Sequence, residues 1–456
     1  MYLTEKLANF VVRTAYEGIS GEAVRKAKEC ILDCVGVIVA GTTDPIKVPV
    51  RQFLEEVGGN KHATIMGLGG KTSVTGAALA NGIFGHVLDY DDTNQIFIGH
   101  ATVVVVPAIL ALAEKLKLSG KDVITAYMVG TEVQWRLGDA LVQAGNHYAK
   151  GWHSTCTIGS FGATAAAAKL LRLDAEATSR AFGIVASEAA GFQQQFGTHC
   201  KPFHAGRANE IGVRAALLAK GGFTSAKSAL EGSVGYLRLV ADEYDLDKID
   251  NFARPWGILE PSFGRGINLK THPICASGIG AVEGMQSLMQ LHGIAADQVE
   301  SVECRVRPGS LNILRHHDPR SGLEAKFSVE YWMAITLLEG RLGLRQTTDE
   351  AVRQPAVRDL IKKVSVVPDP SIHVATAKIK IHVKTKDGRS FDTAYYPAKG
   401  SAENPMSEQE LVEKFRECAD WGGLPKSSTD RALDLLLGLE RLTNIEALIE
   451  STIAIA

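Results

Sequence analysis

The sequence predicts a mostly α fold with an α+β part: a large helical domain built from both chain ends, plus a smaller inserted α+β domain. Three observations carry this expectation. Apolar residues recur at helical spacing through the first half and again after Ser407. Two-residue alternation appears only between those regions. Small residues crowd the helical stretches, as in Gly159-Ser-Phe-Gly-Ala-Thr-Ala-Ala-Ala-Ala168, and let helix axes approach closely.

Taken in order, Thr4 can cap a first helix reaching about residue 16. Ser20 can cap a longer one, with Val24, Ala27, Ile31, Val35 and Ile38 roughly on one face. Helical patterns continue at 77–88, 107–116, 123–144, 160–171 and 174–190. Gly67-Leu-Gly-Gly-Lys-Thr72 looks like a phosphate loop. A P-loop, however, needs glycine where Ile65 stands, and a dinucleotide fingerprint needs one at Thr72. The stretch reads instead as a glycine turn before a helix capped by Thr72 or Ser73.

The character changes after about Pro261. Val302, Cys304 and Val306 alternate with charged residues, as in a strand. A hairpin follows, with Ala377, Ile379, Ile381 and Val383 facing one way, a turn at Asp387-Gly388, and a return over 390–396. Helical patterns at 325–338 and 351–364 lie between these strands, and 407–418 and 430–449 are helical again. The expected division is residues 1–262 with 398–456 as the helical domain, and 263–397 as the α+β domain.

The 456-residue length suits two or three domains, and 45% hydrophobic with 22% charged residues is a soluble globular composition. A net charge of −2 without charged tails argues against a nucleic-acid partner. The longest apolar run, 101–113, contains Pro107 and is too short to span a bilayer, and the first ten residues lack an apolar signal core. Seven scattered cysteines without a Cys-x-x-Cys pair argue against a disulfide framework. A cytoplasmic location is expected. No ligand spacing is convincing for a metal: His316 and His317 are adjacent, and Pro202 interrupts His199 and His204.

Between the apolar runs 74–88 and 103–112 sit Asp89, Asp91, Asp92, Thr93 and His100. Groups placed there are desolvated and can be tuned for proton transfer, although the acids can equally cap helices. Four further segments set ionisable residues in apolar or glycine-rich surroundings. They carry His153; Lys201, His204 and Arg207; Lys270 and His272; and Ser328 with Tyr331. Any one reads most simply as structural. Together they supply cations for carboxylates and groups for acid–base work.

These segments resemble the MmgE/PrpD family. The similarity lies in Leu88-Asp-Tyr-Asp-Asp-Thr93, Gly151-Trp-His153, Lys201-Pro-Phe-His-Ala-Gly206, Lys270 with Pro273, Ala325-Lys-Phe-Ser-x-x-Tyr331 and Leu439-Glu-Arg-Leu-Thr-Asn444. The family includes 2-methylcitrate dehydratases, cis-aconitate decarboxylases and an iminodisuccinate epimerase. The resemblance implies a helical domain with an inserted lid, no metal or organic cofactor, a homodimer, and a small polycarboxylate substrate.

By motif, it places active-site positions on Asp89, Thr93, His100, His153, Lys201, Lys270 and Tyr331. Cys275 stands where some decarboxylases of the family have histidine, and other members also have cysteine there. The expected roles are His100 and His153 for proton transfer, Asp89 orienting a histidine, and Tyr331 donating to a substrate oxygen. Lys201 and Lys270 would grip carboxylates, with help from Arg207 or Arg265, while Thr93, His204 and Cys275 complete the substrate contacts. Dehydration, decarboxylation and epimerisation remain open, as does a non-catalytic metabolite-binding protein.

Overall fold

The computed structural model describes residues 2–251, 256–259, 266–372, 379–393 and 398–454. It is mostly helical, with one four-stranded mixed sheet and two short two-stranded ladders among the described residues. Buried apolar side chains form two clusters. One gathers the helices of the first 250 residues with Leu411, Phe415, Leu436 and Leu448 from the C-terminal helices. The other begins at Ile274 and runs to Val383.

Local chemistry sets the helix starts. Ser20 accepts from Ala23 N at 3.2 Å and opens the helix Gly21–Gly41. Ser73, rather than Thr72, accepts from Gly76 N at 3.0 Å and opens Val74–Val87, three residues earlier than the periodicity suggested. Asp174 and Ser407 cap Ala175–Ala186 and Glu408–Trp421 in the same way. Close approach does the packing: a Cβ on Gly82 would sit 2.7 Å from Gly206 Cα, where Val74–Val87 crosses Cys200–Lys220. These crossed helices carry two of the polar segments into one place.

In the sheet, Val299–Val306 pairs antiparallel with Lys380–Thr385 and parallel with Val364–Pro368. The hairpin turns at Asp387-Gly388, with Gly388 at φ 87°, and returns over Ser390–Asp392. Ile381 and Val383 face the second cluster; the expected contribution of Ala377 and the return beyond Thr393 lie outside the described residues. The helix expected over 351–364 is interrupted. It breaks into Asp349–Arg353 and Pro355–Ile361, because Pro355 has no N–H to continue the first helix, and Val364 starts a strand.

One small ladder matters for the site. Thr93–Asn94 pairs with Ile267–Asn268, so the loop after the Asp-rich turn is stitched to the segment entering Lys270. Ile267 and Leu269 pack with the first apolar cluster, and Ile274 with the second. Lys270 therefore lies at the seam between the two cores.

Candidate active site

The helix Val74–Val87 ends in a sharp turn that assembles the centre. Asp89 adopts φ 50° there, a left-handed conformation that short polar side chains tolerate better than most. The turn buries Asp89, Asp91 and Asp92 together. Ile98, further along the same loop, also has positive φ, at 49°, which is costly for a β-branched residue. Such strain concentrates where the surrounding structure fixes a functional loop.

Asp89 is gripped from both sides. Lys270 Nζ bonds Asp89 Oδ1 and donates to the Asp89 carbonyl at 2.7 Å, while Lys201 Nζ lies 3.4 Å from Oδ2. Burial alone would raise this carboxyl, but the two ammoniums outweigh it and hold Asp89 below the ordinary carboxylate range. Lys201 also lies 2.8 Å from His86 Nε2 and near the faces of Phe196 and Phe327.

A chain of defined tautomers follows. His86 Nδ1 is 2.9 Å from Asp91 Oδ2, and an ionised carboxylate only accepts, so Nδ1 carries the proton. His86 Nε2 is then a lone pair, the acceptor Lys201 needs. Burial pushes His86 down to about 3, which keeps it neutral. Asp91 also faces His100, whose Nδ1 is 3.0 Å from Oδ2 but poorly aligned for a hydrogen bond. Burial lowers the His100 pKa as well. With Nδ1 turned toward Asp91, His100 keeps Nε2 as its basic atom, 3.8 Å from Asp89 Oδ1.

His153 stands across from these groups, its ring edge against Phe196 and its Nδ1 2.8 Å from Nδ1 of His204. Burial, then the neighbouring His204 and Lys201, hold His153 well below the usual imidazole range. A cavity of about 430 Å³ opens on this floor. Asp89, Thr93, His100, His153, Lys201 and Cys275 line it, together with Arg307 and Ser310. Thr93 Oγ1 is buried and has no partner among the described residues, so a bound polar group would satisfy it.

The structure thus brings together Asp89, Thr93, His100, His153, Lys201 and Cys275 at one cavity. Lys270 is adjacent but does not line it; its ammonium is bound to Asp89, and of the two lysines expected to grip carboxylates Lys201 is the one that lines the cavity. His204 meets His153 rather than the cavity. Two expectations need correction. The Tyr331 hydroxyl donates to the Gln346 carbonyl inside the second core, because its helix is buried on every side through Leu337. Arg207 pairs with Glu188 and Glu210 on the outer side of its helix. Arg265 lies outside the described residues.

Sequence reasoning missed His86, whose position in an apolar helix reads as packing, and gave Asp91 no separate role. It also gave no role to Lys326, within the quoted motif: its Nζ donates to Val87 O at 2.8 Å, and burial lowers it to about 8. Arg307 carried no signal beyond being a charged residue after a strand.

His86, Asp89, Asp91 and His100 place ligand atoms within 4.8 Å of one another, a spacing a metal ion could use. The two carboxylates are already paired: Asp89 with two ammoniums, Asp91 with two imidazoles. An ion would have to displace a lysine from a buried carboxylate, so the donor set fits cations of the chain better than a metal.

Comparison with known proteins covers the same segments. The profile of the MmgE/PrpD N-terminal domain matches residues 5–248, and that of the MmgE/PrpD C-terminal domain matches 272–439. The chain is 29% identical to cis-aconitate decarboxylase of Mus musculus, over 97% of this chain and 91% of that protein. It is 28% identical to the Homo sapiens cis-aconitate decarboxylase, over 91% and 87% of the two chains. For the cis-aconitate decarboxylase of Aspergillus terreus the identity is 26%, over 98% and 95%.

Proposed function

The chain belongs to the MmgE/PrpD family and is a lyase, and we propose that it decarboxylates a short tricarboxylate of the cis-aconitate type without a cofactor. The observation that carries this reading is the cavity floor. His100 and His153 flank a lysine whose ammonium is held by His86 and Asp89.

A polycarboxylate needs excess positive charge. Lys201, Lys270, Lys326 and Arg307 stand against the ionised Asp89 and Asp91. Lys201 takes the carboxylate next to the reacting carbon, and Thr93 Oγ1 donates to its second oxygen. Breaking the C–COO⁻ bond releases CO₂ and leaves an electron pair on carbon. The fixed ammonium stabilises that charge as it develops, with no reorganisation. A histidine Nε2–H then delivers a proton to carbon. His153 is the donor in this reading. No proton is abstracted from carbon in a decarboxylation, so His100, held with Nδ1 toward Asp91, acts here by orienting the reacting carboxylate.

Cys275 favours a second reading, dehydration of a 2-methylcitrate-type substrate. It lines the cavity where some decarboxylases of the family have histidine, and burial raises its thiol so that it stays protonated. Epimerisation of an imino-dicarboxylate would instead use His100 and His153 from opposite faces. We further propose that residues 263–397 form a lid, that the protein is a homodimer, and that it works in the cytoplasm. Among the described residues no helix is long and apolar enough to cross a membrane.

Proton NMR in D₂O decides between the reactions. The full chain is incubated separately with cis-aconitate, 2-methylcitrate and iminodisuccinate. Loss of cis-aconitate with one deuterium entering the product carbon is the expected result. Turnover of either other substrate with cis-aconitate untouched would overturn it.

A further inference from the structure

We propose that His204 is a positioning and proton-relay residue that connects His153 to solvent through the wall of the cavity. The proposal rests on the decarboxylase reading and extends it to where the consumed proton comes from.

The geometry is specific. His153 and His204 meet through their Nδ1 atoms at 2.8 Å. Two imidazole nitrogens can share that contact only if one carries a proton and the other a lone pair. Both rings are neutral: burial, followed by neighbouring histidines and Lys201, lowers His153, and burial takes His204 down to about 4. The tautomers are therefore locked to each other. When His204 carries Nδ1–H, His153 carries Nε2–H and is an acid. When His153 carries Nδ1–H, its Nε2 is a lone pair and it is a base.

The two rings also look in different directions. His153 lines the cavity and is 2% exposed; His204 does not line it and is 7% exposed. The His204 Nε2 has no partner among the described residues. Its ring sits beside Gly191, where a Cβ would come within 3.2 Å, and near Phe192, which is 49% exposed. A side chain at position 191 would press on this ring, and the φ of 125° there also demands glycine.

The proton balance closes. Decarboxylation breaks C–C, frees CO₂, and leaves a carbon electron pair that must take one proton. The His153 Nε2–H bond breaks as the C–H bond forms. The Nδ1 proton of His204 moves to Nδ1 of His153, and His204 Nε2 takes a proton from water on the outer side. The pair holds two protons before and after, and one solvent proton has entered the product. When product leaves, water protonates His153 Nε2, Nδ1–H returns to His204, and His204 Nε2 releases its proton, resetting the acid form. The cavity can thus stay closed to water while the proton arrives.

The test uses His204→Asn and His204→Ala in the full chain. Asparagine keeps a group that can hydrogen-bond His153 Nδ1 but cannot pass a proton through itself. The relay predicts that His204→Asn lowers kcat on the order of 10–100-fold with KM changed less than about threefold. It also predicts that added imidazole restores kcat in His204→Ala. A kcat near wild type in His204→Asn, or no imidazole rescue, overturns the relay. Independently of any substrate, ¹⁵N-histidine labelling of the wild type should show a scalar coupling between two Nδ1 atoms, lost in both variants. Absence of that coupling in the folded wild type also overturns it. A wild type that ignores cis-aconitate but shows the coupling refutes the decarboxylase reading and leaves the histidine pair standing.

Discussion

Replacing Lys270 with methionine should cost stability as well as turnover, and the structure sets the size. Methionine keeps the length and apolar stem of lysine, so packing at this 1%-exposed site changes little. What is lost is the ammonium on Asp89 Oδ1 and on the Asp89 carbonyl. Removing one partner of a buried ion pair typically costs about 3–5 kcal/mol, because the other charge is left buried. Lys201 remains 3.4 Å from Oδ2, a gross attraction of about 5 kcal/mol at an effective dielectric near 20. That residual neutralisation places Lys270→Met at the lower end, about 3 kcal/mol.

The pH dependence has a definite sign. Asp89 is held below its ordinary range, so its stabilisation is present above an unfolded carboxylate pKa of about 3.9 and is lost as pH falls through the folded value. The deficit of the variant should narrow in acid. Denaturant unfolding, followed by hydrogen exchange in the helix Val74–Val87, measures it without assuming one cooperative transition for two cores. The double variant Asp89→Asn/Lys270→Met should recover part of the loss. A single variant within about 0.5 kcal/mol of wild type, the usual range of a neutral surface change, would refute the reasoning.

Three further outcomes follow. His100→Ala and His153→Ala should each lower turnover at least ~100-fold with KM less affected, checked by steady-state kinetics. Tyr331→Phe should leave kcat nearly unchanged but destabilise by about 1–3 kcal/mol, since the Gln346 carbonyl loses its donor; a large kcat loss at wild-type stability would return Tyr331 to the site. Stability should fall as pH drops below about 6.5, because His86 and His147 are neutral in the fold, with values near 3 and 4, and must bind protons on unfolding. Thermal unfolding from pH 7 to 5 reads that slope, and His147→Gln should flatten it.

The polar loop between two apolar runs was legible because ionisable residues flanked by buried segments must themselves be desolvated. Asp89, Thr93 and His100 came from that pattern, and His153 and Lys201 from the same contrast in glycine-rich surroundings. His86 was not legible: it lies within Val74–Val87, buried at every residue but Thr75, where one imidazole looks like packing. Tyr331 misled for the opposite reason. Its helix has no exposed face through Leu337, so spacing could not tell cavity from core. Lys270 was read from its sequence surroundings as a charged residue of the site. That its partner would be Asp89 depended on a ladder of two residue pairs, too short to leave a strand signal.

That ladder and the lysine beyond it bear on how the chain is made. Asp89 waits for Lys270, 181 residues downstream, and Asp33 waits for Lys414, whose Nζ is 2.6 Å from it and also donates to Tyr90 O, 324 residues away. A ribosome therefore finishes most of the helical half before either acid can meet its later lysine. Until the later lysines emerge, closing that half would bury Asp89 with Lys201 as its one ammonium and Asp33 without Lys414, so the nascent chain has reason to stay loosely packed around the turn. An amino-terminal fragment ending near residue 250 should for the same reason be a poor unit to express alone. Chaperone dependence during synthesis would then fall most heavily on the interval between Asp89 and Lys270.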